Sequence, residues 1–133
     1  MGGRNTAHRN WHLLNKQKDG ENMTINEMYE KVNLILPTDQ RKFFNYFNDT
    51  VDELVALYGD TVIMSMKRYK EVSDLLDDNV VQPLYHNSMV DNILFYLTKE
   101  ADYKSEFIRK SREAWLKYWN DRANGKRQRR MRW

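Results

Sequence analysis

The chain has no cysteine among its 133 residues, and this absence removes several kinds of chemistry at once. Disulfides, zinc sites with thiolate ligands and cysteine nucleophiles are excluded. The five glycines are isolated or terminal, so the sequence holds no glycine-rich loop that could surround a phosphate. No apolar run approaches the roughly 20 residues that a membrane-spanning helix needs. These absences favour a protein that acts by binding, and they disfavour an enzyme, a cofactor-dependent protein or a membrane protein.

Charge is distributed unevenly along the chain. The net charge is +3, yet residues 126–133 carry +5 while residues 23–125 carry −4. The protein therefore combines a mildly acidic body with a basic tail, and the two parts are expected to have different partners. A small polar body also buries little apolar surface on its own, which favours assembly with copies or partners.

Two helices are predicted in the first half of the body. The stretch TINE places Thr24 three residues before Glu27, which is the spacing of a capping box. Pro37 ends this first helix, because the residue before a proline is pushed out of helical geometry. Thr38 or Asp39 caps the second helix, and Gly59 ends it. The apolar faces are Ile25, Met28, Tyr29, Val32, Ile35 and Leu36 in the first helix, and Phe44, Phe47, Val51, Leu54, Val55 and Tyr58 in the second, where Asp49, Asp52 and Glu53 are predicted to face away.

The segment 60–79 lacks a clear period. Its β-branched start favours a short extended stretch near 61–66, followed by a turn of helix and an acidic loop. A third helix is predicted to start near Asp78 or Asn79, since Pro83 is acceptable in a first helical turn. Its apolar face comprises Val81, Leu84, Tyr85, Met89, Ile93, Tyr96 and Leu97.

A fourth helix is predicted over 102–124, after a break near 98–102, and Gly125 is predicted to end it. Its apolar face comprises Phe107, Ile108, Trp115, Leu116, Tyr118 and Trp119, and the opposite side carries Arg109, Lys110, Arg112 and Glu113. The expected fold is therefore all-α: a small four-helix domain with an irregular insertion that can form a β-hairpin, and an extended C-terminal arm.

Candidate catalytic and metal-binding residues are few. His8 and His12 have the i, i+4 spacing of helical metal ligands, but no carboxylate ligand lies near them, so a polar leader is the better interpretation. His86 is expected to be a partly buried, hydrogen-bonded histidine rather than a catalytic one. The sequence thus predicts no catalytic residue, no metal site and no cofactor.

An acidic cluster at Asp74, Asp77 and Asp78 invites comparison with a calcium loop. Such loops need ligands at alternating positions and a central glycine, whereas this stretch has Leu75 and Leu76 inside it and no glycine. A helix cap with solvated charges is the predicted role.

The basic tail is the strongest feature outside the predicted core. Arginines suit bidentate contacts to carboxylate or phosphate, and a tryptophan can fill a pocket or stack on a base. The alternative is a solubilising end without a partner. The candidate binding residues are Lys126, Arg127, Arg129, Arg130, Arg132 and Trp133.

Three stretches together resemble the head–tail connector, or adaptor, proteins of long-tailed bacteriophages. They are FFNYFNDTVDELVALYG at 43–59, VVQPLYHNSMVDNILFYL at 80–97 and KSEFIRKSREAWLKYWNDRANGKRQRRMRW at 104–133. The resemblance rests on pattern and order over about residues 23–133, not on one diagnostic motif. It implies a small helical subunit of the virion, made in the bacterial host cytoplasm and placed at the head–tail interface.

The resemblance also implies partners. Subunits of this family form a ring of about twelve copies, and a C-terminal arm reaches toward the portal protein. Here that arm would be Lys126 to Trp133, with arginines against acidic portal residues and Trp133 in a pocket. The other surface of the ring would receive a stopper or tail-completion protein. Packaged DNA would pass through the channel without sequence-specific binding, and segment 60–79 would lie at a ring surface or in the lumen.

These observations divide the chain into three parts: a polar leader over 1–22, a helical connector domain over 23–125 and a basic arm over 126–133. The leader lies outside the resemblance, and Met23 is a candidate for the natural start. The alternative function is a small helical regulator that binds nucleic acid through its basic tail. Against it, no helix shows a basic, base-reading face beside a helix-turn-helix break.

Overall fold

The computed structural model describes the backbone of residues 22–64, 72 and 74–131, and the side chains of these residues up to 123. The described part contains four α-helices, so the predicted all-α, four-helix class is confirmed. They are α1 over Ile25–Ile35, α2 over Gln40–Tyr58, α3 over His86–Thr98 and α4 over Ala101–Met131. Residues 1–21 of the leader, and with them the predictions for His8 and His12, lie outside the described residues.

Helix α1 begins and ends where the sequence predicts. The Thr24 hydroxyl accepts a hydrogen bond from the Glu27 amide at 3.1 Å, and the Glu27 carboxylate accepts one from the Thr24 amide at 3.4 Å. Both halves of the capping box are therefore present. The helix ends at Ile35, and Leu36 before Pro37 has extended backbone.

Helix α2 also has the predicted ends. The Asp39 carboxylate accepts a hydrogen bond from the Lys42 amide at 2.9 Å, which decides between the two predicted caps. Gly59 follows the helix with a φ of +61°, a conformation that favours glycine. The buried face differs from the prediction at its start, because Phe43 is fully buried whereas the predicted Phe44 is only half-buried.

The insertion after α2 is short and irregular in its described part. A 3-10 turn over Gly59–Thr61 leads to an isolated antiparallel bridge between Ile63 and Val81. Two backbone hydrogen bonds flank the bridge, from Met64 to Val80 at 2.8 Å and from Gln82 to Val62 at 2.7 Å. The predicted extended stretch is thus reduced to one bridge, and residues 65–71 and 73 lie outside the described part.

Helix α3 starts later than predicted. Asn79 caps no helix, because its side chain accepts a hydrogen bond from the Val81 amide and donates one to the Met23 carbonyl. Pro83 instead opens a 3-10 turn over Pro83–Tyr85, and the α-helix begins at His86. The prediction of a start near Asp78 or Asn79 is therefore wrong, because Asn79 and Val81 are used to join the insertion to the N-terminal segment.

Helix α3 lies at the centre of the molecule, where it contacts each of the other three helices. Eight of its 13 residues are buried, and four of them have polar or charged side chains. The buried members are His86, Ser88, Met89, Val90, Asp91, Asn92, Ile93 and Leu94. A helix enclosed on all sides must satisfy its polar groups from neighbouring helices, and this requirement shapes the site described below.

Helix α4 runs for 31 residues, about 46 Å by its rise. Its helical backbone passes through Gly125 and continues to Met131, so the prediction that the helix ends at Gly125 is wrong. A glycine costs about 1 kcal/mol in a helix relative to alanine. Lysine, arginine, glutamine and alanine are among the strongest helix formers, and here they surround the glycine. The described part of the basic segment is therefore helical, not extended.

Candidate interaction surface and polar cluster

The predicted docking residues divide at the end of the described region. Lys126, Arg127, Arg129 and Arg130 lie on the helical backbone of α4. Arg132 and Trp133 lie outside the described residues. The five residues 119–123 that precede this basic segment are all exposed. Helix α4 therefore leaves the surface of the body before its basic segment begins.

The last side chains of α4 that touch the body are aromatic. The Trp115 ring lies 6.0 Å from the Tyr58 ring, and Trp115 is half-buried. One turn later, the Trp119 ring meets the Tyr118 ring edge-on at 5.4 Å, and the Arg122 guanidinium lies 4.9 Å above Tyr118. These contacts cover one side of the helix where it leaves the body.

The predicted apolar face of α4 is divided between two sides of the helix. Phe107 and Ala114 are buried, together with Ser111, whose hydroxyl hydrogen-bonds with Tyr58 of α2 at 3.0 Å. Three other predicted members are about half exposed: Ile108 at 51%, Leu116 at 48% and Trp119 at 47%. These three lie on the solvent side, so the prediction that they belong to the core is wrong. Together they make an apolar stripe that the described chain leaves uncovered.

Polar side chains border this stripe. A shallow groove of about 470 Å³ runs along α4 and is lined only by residues of that helix. We define the outer face of α4 by its lining residues, Ser105, Ile108, Arg109, Arg112, Glu113 and Leu116, together with Trp119. A mixed apolar and arginine surface is typical of protein interfaces, where arginine and aromatic residues are enriched.

The two arginines of the outer face differ in their ion-pair partners. Arg109 bridges two carboxylates, with its guanidinium 2.6 Å from Glu106 and 3.0 Å from Glu113. The hydrogen bond and charge of Arg109 lower the pKa of Glu106, while Glu106 in turn raises the pKa of Arg109. Arg112 makes no hydrogen bond or ion pair within the described residues. Its guanidinium is therefore available to a partner.

A second cluster of charged and polar groups joins α2, α3 and α4. The Lys104 ammonium donates to the Glu53 carboxylate at 2.8 Å and to the Asn92 carbonyl oxygen at 3.0 Å. The Asn92 amide donates to Glu53 and also to the Thr50 hydroxyl, the latter at 3.0 Å. The Lys104 ammonium also lies 4.8 Å from the centre of the Phe107 ring. The cluster thus fixes the register of three helices at one point.

Ionisation in this cluster follows its geometry. Burial alone would raise the pKa of Glu53, but hydrogen bonds from Lys104, Asn92 and Tyr96 outweigh it and lower that pKa. Burial, together with the hydrogen bond and charge of Glu53, raises the pKa of Tyr96 to about 12. Glu53 is therefore an anion, Lys104 its cation and Tyr96 a neutral phenol at neutral pH. The prediction that Glu53 faces away from the body is wrong, because Glu53 points toward α4 and binds Lys104 there.

Replacing Lys104 by methionine is expected to lower the free energy of unfolding by about 1–3 kcal/mol, because Glu53 and Asn92 lose a charged donor. Urea unfolding measures the loss. Lys99→Met is the matched control, since the Lys99 ammonium lies 5.5 Å from the Tyr96 ring but makes no ion pair within the described residues. The double variant Glu53→Gln, Lys104→Met should lose less than the sum of the two single losses. Additive losses would contradict the coupling.

Among the described residues, no three histidine, aspartate or glutamate side chains converge as a metal site would require. Asp74 caps its own turn, with its carboxylate accepting from the Leu76 amide at 2.9 Å. His86 is hydrogen-bonded through both ring nitrogens, as predicted, and it is fully buried where the sequence predicts a partly buried histidine. None of the helices in the described part of the chain contains an apolar stretch that could span a lipid bilayer.

Comparison of the chain with protein-family models, with curated proteins and with solved structures found no match. The functional argument therefore rests on the residues themselves. Sequence reasoning missed the cluster of Glu53, Asn92 and Lys104, although Asn92 on the predicted third helix lies next to its apolar face. A polar residue beside a buried stripe is a signal that could have indicated a buried hydrogen-bond network.

Proposed function

We propose that this protein is a structural subunit of a bacteriophage virion that forms a ring between the portal of the head and the tail. The observation that carries the proposal is α4, which joins two binding features in one helix. Its outer face presents exposed apolar residues and an arginine, Arg112, that has no ion-pair partner in the described part of the chain, and its continuation over 126–131 holds four basic residues. A subunit of a ring needs both kinds of surface, one for its neighbours and one for the component it docks on.

Charge supports the assignment of the two surfaces. Residues 23–125 carry −4, so the body repels DNA that passes beside it, whereas residues 126–133 carry +5 and attract acidic groups. In the proposed assembly the basic segment binds acidic residues of the portal through Lys126, Arg127, Arg129, Arg130 and Arg132. Trp133 fills a pocket there, and the far side of the ring receives a stopper or tail-completion protein. The mature location is the virion, after assembly in the host cytoplasm.

The alternative is a regulator that binds nucleic acid, and one observation favours it. The basic segment continues α4 as a helix, and a basic helix can enter the major groove of DNA. Such binding would be weak, without sequence preference and steeply salt-dependent, because it would rest on phosphate contacts. The acidic body opposes it, so we place this function second.

The two functions differ in what the basic segment binds. Purified protein should assemble into rings on a candidate portal, seen by sedimentation and negative-stain imaging. Deletion of 126–133 should abolish this docking and leave the body folded, with a helical circular dichroism signal that falls only by the share of the residues removed. Replacing Trp133 by alanine separates the pocket from the charge, since only the pocket is lost. A monomer that ignores portals, and that shifts DNA at low salt until 126–133 is removed, would favour the regulator.

A further inference from the structure

We propose that the outer face of α4 binds the outer face of α2 in a second copy of this chain. The inference deepens the proposed ring and rests on it for its biological meaning. It names the surface through which neighbouring subunits meet, which the function alone leaves open. Charge and residue spacing on the two helices indicate α2 of a second copy as the partner.

The outer face of α2 is acidic and partly apolar. We define it by the exposed residues Asn45, Asp49, Asp52 and Ala56, which follow the helix at intervals of three and four residues. Leu57 lies next to it and is 59% exposed. This face therefore offers carboxylates at one end and an apolar surface at the other. The outer face of α4 offers Arg112 and Leu116, whereas Arg109 is already paired within its own helix.

The two faces match in order as well as in charge. Asp49, Asp52 and Ala56 have the same spacing on α2 as Arg109, Arg112 and Leu116 have on α4. Two helices packed side by side in parallel, about 8–10 Å apart, would place the arginines against the aspartates. Leu116 would then lie against Ala56 and Leu57, and Arg112 would gain a carboxylate partner.

Other occupants fit the outer face of α4 less well. Two copies of this face packed against each other around a twofold axis would bring Arg112 close to Arg112 of the partner, and like charges in contact are destabilising. Nucleic acid would leave Ile108 and Leu116 uncovered, because phosphates do not bind aliphatic side chains. A contact between two different faces of the same chain is heterologous, and repetition of such a contact gives a closed ring or a filament.

Cross-linking tests the contact directly, because the chain contains no cysteine of its own. The double variant Ala56→Cys, Leu116→Cys places one thiol on each exposed face. A short bismaleimide cross-linker should convert concentrated protein into a ladder that rises in steps of one 16.2 kDa subunit. Neither single variant should give a ladder, because each thiol faces a residue that has none.

Three results of this experiment would overturn the proposal. They are absence of a ladder in the double variant, a cross-linked dimer from Leu116→Cys alone, or an equal ladder from a control pair. The control is Ala56→Cys, Leu34→Cys, since Leu34 is 87% exposed but lies on α1, away from both faces. Circular dichroism verifies that each variant is folded, as all these positions are exposed.

Charge exchange gives a second readout. Arg112→Glu and Asp52→Lys should each weaken self-association at least tenfold in sedimentation, because these two positions face each other and each change puts like charges in the contact. An equimolar mixture of the two variants should recover it, since every contact in an alternating assembly again pairs opposite charges. A mixture that stays as weak as its components would count against the contact.

The proposed function and this contact can fail separately. A ladder without any portal binding would leave the contact standing and remove the connector function. Rings on a portal that are insensitive to both charge reversals, and that give no ladder, would leave the function standing and remove the contact.

Discussion

Replacing Phe43 by alanine is expected to lower the free energy of unfolding by about 3–5 kcal/mol, the cost of removing a fully buried aromatic ring. Phe43 lies at the centre of an aromatic group that joins α1 to α2. Its ring is 5.2 Å from Tyr29 and 5.9 Å from Phe47, centre to centre. Because a native domain is stable by only about 5–15 kcal/mol, this one change removes a large share of the total.

Phe44 is the matched control for this prediction. It is the same residue type, one position along the same helix, and only half-buried. Phe44→Ala should cost about 1–2 kcal/mol, since less apolar area leaves the interior. Urea unfolding of both variants, followed through the helix signal in circular dichroism at 222 nm, measures the difference between their free energies of unfolding. Equal losses, or a larger loss at Phe44, would place the core on the other side of α2.

Acid is expected to destabilise the protein through His86. The His86 ring accepts a hydrogen bond from the Met23 amide at 2.8 Å, and its other nitrogen donates to the Val81 carbonyl at 2.9 Å. Burial lowers the pKa of His86 from 6.5 to about 4, and the Val81 carbonyl and the Glu27 charge offset this only in part. A proton on the accepting nitrogen would break the bond to Met23.

The sign of the effect follows from proton binding. Between about pH 6.5 and pH 4 the unfolded chain protonates this histidine and the folded chain does not, so stability falls as the pH falls through this window. Above pH 6.5 the contribution of His86 is fully present. The complete loss is about 3 kcal/mol, from the difference between the two pKa values. Urea unfolding at several pH values between 4.5 and 7 measures the slope.

A variant separates His86 from the carboxylates that also titrate in acid. His86→Gln keeps a hydrogen-bonding side chain but cannot ionise, so its stability should depend less on pH over the same window. A slope equal to that of the wild type would remove His86 as the cause. Titration of the wild-type histidine ring signals by nuclear magnetic resonance is independent of this variant, and it should find one ring with a pKa near 4.

Local signals predicted the helix ends well. The TINE capping box, Pro37, Asp39 and Gly59 each act within about one turn of the chain, so the residues that cause each boundary are neighbours in sequence. Gly125 is the exception among these signals, because a glycine can lie inside a helix when the residues around it are strong helix formers. The all-α class followed from apolar periodicity, which depends on many residues together.

The polar interior could not be predicted in the same way. Asp91 is buried, and its carboxylate binds the Lys110 ammonium at 2.7 Å, which arrives from α4. Asn92 needs Glu53 from α2 and Lys104 from α4. Asn92 becomes acceptable in the interior only after two other helices are placed around it, and Asp91 only after α4 is placed. A single sequence contains these residues but not the packing that brings them together.

The exposed apolar side of α4 could not be predicted for a related reason. Ile108 and Phe107 are adjacent in sequence and were predicted on one apolar face, yet a helix turns by about 100° between neighbours. Packing against α3 selects the side that holds Phe107, Ser111 and Ala114, which leaves Ile108 and Leu116 outside. A second apolar side on a predicted core helix is therefore informative, because it indicates a surface that needs a partner.

The central position of α3 has a consequence for how the protein is made. Helices α1 and α2 leave the ribosome first, but the apolar sides of both pack on a helix that begins only at His86. Until α3 has emerged, α1 and α2 can pack only on each other, through Tyr29 and Phe43, and the sides that pack on α3 remain open to water. The nascent chain therefore gains most of its stability late in translation, when α3 and then α4 arrive. A ribosome stalled before codon 86 would hold a chain that chaperones bind and proteases cut.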